Sequence, residues 1–128
     1  KSKTHTGVDF RARVGTPIFA AEDGVVRSVD NNDRGALRWQ KYQYGKYVLI
    51  DHLNSLSTMY AHLSRQVVDV GEEVKRGDLI GYSGNTGYST APHLHFGVYW
   101  MPSLQFKRIA PAAGLVPIGI TIDAEDYL

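Results

Sequence analysis

Five histidines are the residues of this 128-residue chain most able to do chemistry. Two of them, His93 and His95, stand one residue apart in the segment "PHLHF". Because successive side chains of a strand point to opposite faces, the two imidazoles would project to one face and Leu94 and Phe96 to the other. The apolar pair would then supply the core, and the histidines would face a cleft.

A second set of metal-binding residue types lies near the N-terminus, in "HTGVD". His5 stands four residues before Asp9, and an extended segment that bends at Gly7 would bring both side chains to one face. An imidazole and a carboxylate suit a divalent ion in a chain without cysteine. His5, Asp9 and one histidine of the H-x-H pair would supply the three protein ligands that are typical of a catalytic zinc site.

The two remaining histidines give weaker evidence of a functional role. His52, in "LIDHLN", follows an apolar run and precedes an Asn turn, which favours a structural role over a substrate contact. His62, in "TMYAHL", could equally be a strand residue packed beside Tyr60. A single histidine in a strand is more often a hydrogen-bonded residue than a ligand, so composition alone places neither in the site.

The sequence predicts that short strands position these residues. Runs rich in β-formers recur at intervals of roughly ten residues between glycine and Asn/Asp turns. They cover residues 16–21, 24–30, 46–53, 56–63, 66–71, 78–84 and 93–100. No segment has a sustained helical period, so the pattern predicts an all-β domain with a small antiparallel, barrel-sandwich-like sheet.

Two other segments interrupt this rhythm. Residues 30–46 predict a long loop of the kind that often lines a binding site. The tail from residue 103 contains two prolines and predicts at most one strand, at 118–122.

The composition argues against several kinds of partner and site. Fourteen basic against thirteen acidic residues leave a net charge of +1, which disfavours nucleic acid or an anionic membrane as a partner. No apolar run approaches the roughly 18 residues of a spanning helix, so this chain predicts no membrane insertion. The lack of cysteine excludes thiolate metal sites, disulfides and a thiol nucleophile.

Three separate motifs, in order and at the right spacing, make the chain similar to a known family. From "HTGVDF" through "GTPIFAAEDGVV", "YVLIDH", "STMYAHLS" and "VDVGEEVKRGDLIGYSGNTGYS" to "PHLHF", it resembles the LytM/lysostaphin-type zinc metallopeptidases, which cut the peptide part of bacterial peptidoglycan. The resemblance covers nearly all of residues 5–97 and leaves 98–128 as a C-terminal extension of a single domain, 1–128. It implies an antiparallel sheet with an open groove whose floor holds Zn2+, and no other cofactor.

Residue by residue, the resemblance implies that His5, Asp9 and His95 are the metal ligands and that His62 and His93 are the catalytic histidines. One of the two catalytic histidines would take or steer the proton of the attacking water, and the other would hydrogen-bond the water or the oxyanion. Tyr60 and His52 match positions where the family often has these residue types, but neither is implied to be a ligand.

The resemblance predicts a zinc-dependent endopeptidase that hydrolyses peptide cross-links or stem peptides of peptidoglycan, in the periplasm or outside the cell. The alternative is a non-catalytic domain of the same fold that activates or scaffolds other cell-wall hydrolases. Retention of all three ligands and both catalytic histidines favours the enzyme. Only four residues precede His5, so we expect a fragment of a longer protein, with a missing N-terminal segment or a prodomain as a candidate partner.

A third interpretation comes from "VDVGEEVKRGDLIG", whose spacing also occurs in lipoyl and biotinyl carrier domains. Such carriers need an exposed lysine at a hairpin tip, usually beside Met or Asp. Neither Met59 nor Met101 has a lysine next to it, which indicates shared β-architecture rather than shared function. The segment also echoes "VGTPIFAAEDGVV", and the echo predicts two quasi-equivalent hairpins.

Overall fold

A computed structural model describes residues 2–4, 7–31, 44–86, 91–107, 116–119 and 121–122. Its strands are β1 Ser2–Thr4, β2 Gly7–Arg11, β3 Pro17–Phe19, β4 Gly24–Asn31, β5 Lys46–Asp51, β6 Leu56–Gln66, β7 Glu73–Val74, β8 Leu79–Ser83, β9 His93–Trp100, β10 Gln105–Lys107, β11 Val116–Ile118 and β12 Thr121–Ile122. A 3-10 turn spans Met101–Ser103. Within these ranges, no helix is long and apolar enough to cross a bilayer.

The strands pair antiparallel throughout, and most of those described belong to one open sheet. Its main order is β1-β2-β9-β6-β5-β4-β7, with β12 beside β9 and β8 joining β6 to β3. Strands β10 and β11 form a separate two-stranded ribbon among the described residues. The prediction of an all-β antiparallel domain is therefore confirmed, and the sheet does not close into a barrel.

Some predicted elements are wrong in detail. Residues 66–71 do not form a strand, because β6 ends at Gln66 and the chain turns at Val70 and Gly71. The single strand predicted at 118–122 is two short strands, β11 and β12, that pair with different partners. Most of the predicted loop at 30–46 lies outside the described residues, which resume at Tyr44.

The two echoing segments pair with each other instead of each closing its own hairpin. Strand β3 pairs with β8, and β4 pairs with β7. The Gly15 amide donates to the Ser83 carbonyl and the Gly71 amide to the Val26 carbonyl, both at 2.8 Å. The prediction of quasi-equivalent hairpins is therefore wrong, and the echo reflects two equivalent halves of one interlocked unit.

The central strands bury both of their faces. One apolar cluster lies on the first face and includes Val48, Ile50, Tyr60, Phe96 and Val98. A second cluster, on the opposite face, is made of Tyr44, Tyr47, Leu49, Met59, Ala61 and Tyr99. Alternation along each strand assigns neighbouring residues to opposite clusters. Leu94 packs against the first cluster, and Phe96 belongs to it, as the H-x-H pattern predicts.

Strand β6 contains a bulge at the centre of the sheet. Tyr60 pairs with Val48 and Leu63 pairs with Lys46, so Ala61 and His62 together lie opposite the single residue Tyr47. His62 takes up the extra residue with a φ of 61°, in the left-handed region.

The bulge coincides with a fork in the sheet. Along the same edge, β6 pairs with β9 up to Ala61 and with β8 from Leu63 onward. A single bridge between Gly84 and His93 ties the end of β8 to the start of β9. His62 therefore lies where the two partner strands diverge, next to the histidine that begins β9.

Candidate metal and catalytic site

The core of the candidate site is the pair Asp9 and His95. The register of β2 and β9 sets these two residues directly opposite each other, and His95 Nδ1 lies 2.8 Å from Asp9 Oδ1. Close approach of the strands depends on Gly7, because a Cβ at that position would overlap the carbonyl oxygen of Phe96. Two potential ligand atoms thus converge in a part of the sheet held by backbone pairing.

Electrostatics keep the Asp9 carboxylate ionised. Partial burial raises its pKa, but the hydrogen bond from His95 and the charges of the nearby imidazoles lower it more. The net pKa lies below the ordinary aspartate value. Asp9 is therefore an anionic oxygen donor at neutral pH, which is the form that a divalent metal requires.

His93 lies on the same face as His95. Its Nδ1–H donates to the Ala91 carbonyl over 2.8 Å, and its Nε2 lies 3.7 Å from Asp9 Oδ1. Because a carbonyl oxygen can only accept, the neutral His93 ring carries its proton on Nδ1 and presents the Nε2 lone pair toward the carboxylate.

His62 reaches the site from the β6 bulge. Its ring centroid lies 4.7 Å from that of His93 and 6.0 Å from that of His95. The Tyr44 carbonyl accepts its backbone N–H at 2.8 Å, and the Thr86 carbonyl accepts its Nδ1–H at 2.5 Å. Burial, together with the neighbouring imidazoles, lowers the pKa of His62 to about 3 despite the Thr86 contact, so the ring is neutral at neutral pH.

Sequence reasoning missed two residues that shape the site. The ring of Tyr44 stacks on that of His95, with centroids 5.8 Å apart and planes 24° from parallel. Thr86 supplies the carbonyl that holds the His62 ring. The only available signals were that Tyr44 lies near the end of the 30–46 segment predicted to line a binding site and that Thr86 lies between two glycines in the sequence "GNTG".

His52 and Tyr60 lie on the other face of the sheet. His52 Nδ1 donates to the Asp23 carbonyl, and its Nε2 lies 2.8 Å from Thr58 Oγ1. Thr58 Oγ1 is also 2.8 Å from the Tyr60 hydroxyl, which accepts the Ala21 amide. This buried chain of hydrogen bonds supports the structural interpretation of His52.

The donor set fits a zinc ion as far as the described chain extends. Asp9 offers a carboxylate oxygen and His95 an imidazole nitrogen, both ordinary zinc ligands, on a face shared with two further imidazoles. The third predicted ligand, His5, lies outside the described residues. Among the described residues, no cluster of three or more His, Asp or Glu side chains has a metal-site arrangement.

The described part of the chain thus combines an open antiparallel sheet with an Asp–His pair and two further histidines at the fork between β6 and β9. The sequence model of peptidase family M23 matches residues 3–111. The chain belongs to peptidase family M23, as its motifs predict.

Relatives and solved structures agree with this assignment. Peptidoglycan DD-endopeptidase ShyC of Vibrio cholerae is 47% identical over 94 residues, which are 73% of this chain and 20% of that protein. The catalytic domain of the antimicrobial peptidase lysostaphin from Staphylococcus simulans superposes with a TM-score of 0.71 at 31% identity, over 96% of this chain and 77% of that domain. A zinc-containing peptidase from Vibrio cholerae has a TM-score of 0.64 at 37% identity, over 73% of this chain and 26% of that one.

The similarity concerns one domain of larger proteins. The chain spans 18–25% of the length of curated relatives that are 41–47% identical to it.

Proposed function

We propose that this chain is a zinc-dependent endopeptidase domain that hydrolyses peptide cross-links or stem peptides of bacterial peptidoglycan. The observation that carries the proposal is the convergence of Asp9, His62, His93 and His95 on one face at the fork between β6 and β9. Its relative ShyC is named a peptidoglycan endopeptidase, which supports the substrate class. Such a substrate lies outside the cytoplasmic membrane, so we infer a periplasmic or extracellular site of action.

His5, Asp9 and His95 would hold the zinc ion. When bound, the ion supplies Lewis acidity, which makes water more nucleophilic and polarises a peptide carbonyl. The Asp9–His95 pair is anchored by the β2–β9 ladder, so its two donor atoms are already held together before any ion arrives.

His93 and His62 have different roles toward the attacking water: His93 transfers its proton, and His62 orients it. Both rings donate Nδ1–H to a backbone carbonyl, so each has a lone pair on Nε2. His93 Nε2 lies close to the Asp9 carboxylate and is well placed to accept a proton from water and return it to the leaving amine. Neutral His62 accepts a hydrogen bond through Nε2, which orients the water in front of the substrate.

The test uses the purified chain and purified peptidoglycan of known cross-bridge chemistry. Mass spectrometry of released muropeptides should show new peptide ends, and chelation should abolish cleavage until zinc is restored. Less than about a tenth of an equivalent of bound zinc, with no cleavage after zinc is supplied, would refute the proposal. Binding to peptidoglycan without cleavage would instead support the non-catalytic alternative.

Variants separate the roles within the site. His93→Ala should retain zinc and lose most turnover, because its nitrogen acts on the proton and not on the ion. Lys75→Ala is the matched control, since this exposed side chain lies beyond β7 at the edge of the sheet. If His93→Ala released zinc, the roles of the two histidines in "HLH" would have to be exchanged.

A further inference from the structure

Thr86 makes three hydrogen bonds that link two strands to the His62 ring. Its hydroxyl donates to the Leu63 carbonyl at 2.8 Å and accepts the Lys46 amide at 3.1 Å. These partners lie in β6 and β5 and are paired with each other at one end of the bulge that carries His62. The carbonyl of the same residue accepts His62 Nδ1–H. Thr86 is therefore hydrogen-bonded to two strands through its hydroxyl and holds the His62 ring through its carbonyl.

The segment 84–86 is also held against β6 by close backbone contact. A Cβ at Gly84 would lie 2.5 Å from the Ser64 amide nitrogen, so only glycine lets the chain lie this close. The amide of His93 donates to the Gly84 carbonyl at 3.3 Å. Residues 84–86 are thus fixed at both ends, and the Thr86 carbonyl cannot move far from His62 while these contacts persist.

The direction of the His62 hydrogen bond has a chemical consequence. A backbone carbonyl has no proton to give, so the contact selects the tautomer with hydrogen on Nδ1. The alternative tautomer would put the hydrogen on Nε2 and turn a hydrogen-bond acceptor into a donor toward the cleft. It would also leave Nδ1 facing a carbonyl lone pair in a buried position, which is costly.

From these contacts we infer that Thr86 is a positioning residue that fixes the Nδ1–H tautomer of His62, because its hydroxyl is hydrogen-bonded to β5 and β6 and so holds its carbonyl against the ring. The inference rests on the proposed peptidase function only for its effect on turnover. The tautomer itself is a property of this chain and can be observed without substrate.

Two substitutions at Thr86 test the contribution of its two hydroxyl hydrogen bonds. Thr86→Val keeps the shape but loses both hydroxyl hydrogen bonds, whereas Thr86→Ser keeps both. Ser64→Ala is the matched control, because it removes one side-chain hydrogen bond to the Tyr82 carbonyl on the same stretch of β6 without touching Thr86. A merely structural effect would be similar in Thr86→Val and Ser64→Ala.

Nitrogen-15 NMR of the imidazoles in the zinc-loaded protein gives the first readout, with the His62 signals assigned by their loss in His62→Gln. The wild type should show a protonated Nδ1 and an unprotonated Nε2 for His62. Thr86→Val should show a mixture of tautomers or a broadened Nδ1–H, and Thr86→Ser should restore the wild-type pattern. A wild-type His62 protonated on Nε2 would overturn the inference, whether or not Thr86→Val folds.

Kinetics and metal binding give the second readout. Residues that orient an active-site ring typically contribute about 10–100-fold to activity, so Thr86→Val should lower kcat by at least about tenfold with KM and zinc affinity unchanged. Thr86→Ser and Ser64→Ala should stay within about twofold of wild type. An unchanged tautomer and kcat in folded Thr86→Val would also overturn the inference. A wild type with the expected tautomer but no cleavage would count against the proposed function instead.

Discussion

Replacing Thr58 by Val should destabilise the fold and leave the candidate metal site intact. His52, Thr58 and Tyr60 are buried and form a hydrogen-bonded chain on the face opposite the site. His52 donates Nδ1–H to a carbonyl, so its Nε2 must accept from Thr58. Thr58 in turn accepts from the Tyr60 hydroxyl. The direction of every hydrogen bond in the chain is therefore fixed.

The size of the effect follows from the partners that Val cannot replace. Valine has nearly the same shape as threonine but neither donates nor accepts, so it removes the donor to His52 Nε2 and one hydrogen bond of the Tyr60 hydroxyl, which keeps the Ala21 amide. Loss of the donor to buried His52 Nε2 costs about 1–3 kcal/mol, and loss of one hydrogen bond at Tyr60 costs about 0.5–1.5 kcal/mol. We expect the free energy of unfolding to fall by about 2–4 kcal/mol, a large part of the about 5–15 kcal/mol of a typical domain.

The assay is urea unfolding of the metal-free protein, followed by circular dichroism, so that zinc binding does not add to the measured stability. Thr58→Ser keeps both hydrogen bonds and should lose only about 1 kcal/mol for the missing methyl group. A loss in Thr58→Val no larger than in Thr58→Ser would refute the assigned network. A tenfold drop in zinc affinity of folded Thr58→Val would refute the separation of the two faces.

Three further predictions concern the candidate metal-binding face and the strand that carries Asp9. Tyr44→Leu should weaken zinc binding about 2–12-fold, measured by chelator competition, because it removes an aromatic stack worth about 0.5–1.5 kcal/mol, and Tyr44→Phe should bind as wild type. Gly7→Ala should lower both the thermal midpoint and zinc affinity by forcing β2 away from Phe96. Gly15 also has a positive φ, 90° against 151° at Gly7, but it has open space around it, so Gly15→Ala should lower the midpoint alone. Asp9→Asn should lose stoichiometric zinc, measured by elemental analysis, while circular dichroism stays native, because the amide keeps the shape but not the charge.

The sequence predicts the class of fold well because alternation and turn residues act locally. The strands at 46–51 and 93–100 lie within the predicted runs, and Leu94 and Phe96 enter the core on the predicted face. The family assignment is confirmed as well. The ligand and catalytic roles of His5, Asp9, His62, His93 and His95 stay predictions.

The contribution of Tyr44 and Thr86 could not be predicted in the same way. Thr86 acts through a backbone carbonyl whose position is set by hydroxyl hydrogen bonds to Lys46 and Leu63, and these partners come near Thr86 only after distant strands have paired. Tyr44 acts by stacking on a ring 51 positions away along the chain (95 − 44), a contact that only the paired strands create. Pairing between distant segments, including the β3–β8 and β4–β7 ladders, depends on the global register and is not encoded in any short window.

Because β6 contains a bulge, the number of residues between Tyr60 and Leu63 decides which side chains lie on each face of the sheet. In a regular strand Leu63 would share a face with Ala61, and His62 would share a face with Tyr60 in the apolar cluster. The extra residue instead sends Leu63 to the same cluster as Tyr60 and frees His62 for the site. Deleting His62 would remove the bulge, leave Leu63 on the face of Tyr60 by simple alternation, and take this imidazole out of the candidate site. A change of length at this point would therefore alter the site while the apolar cluster keeps its members.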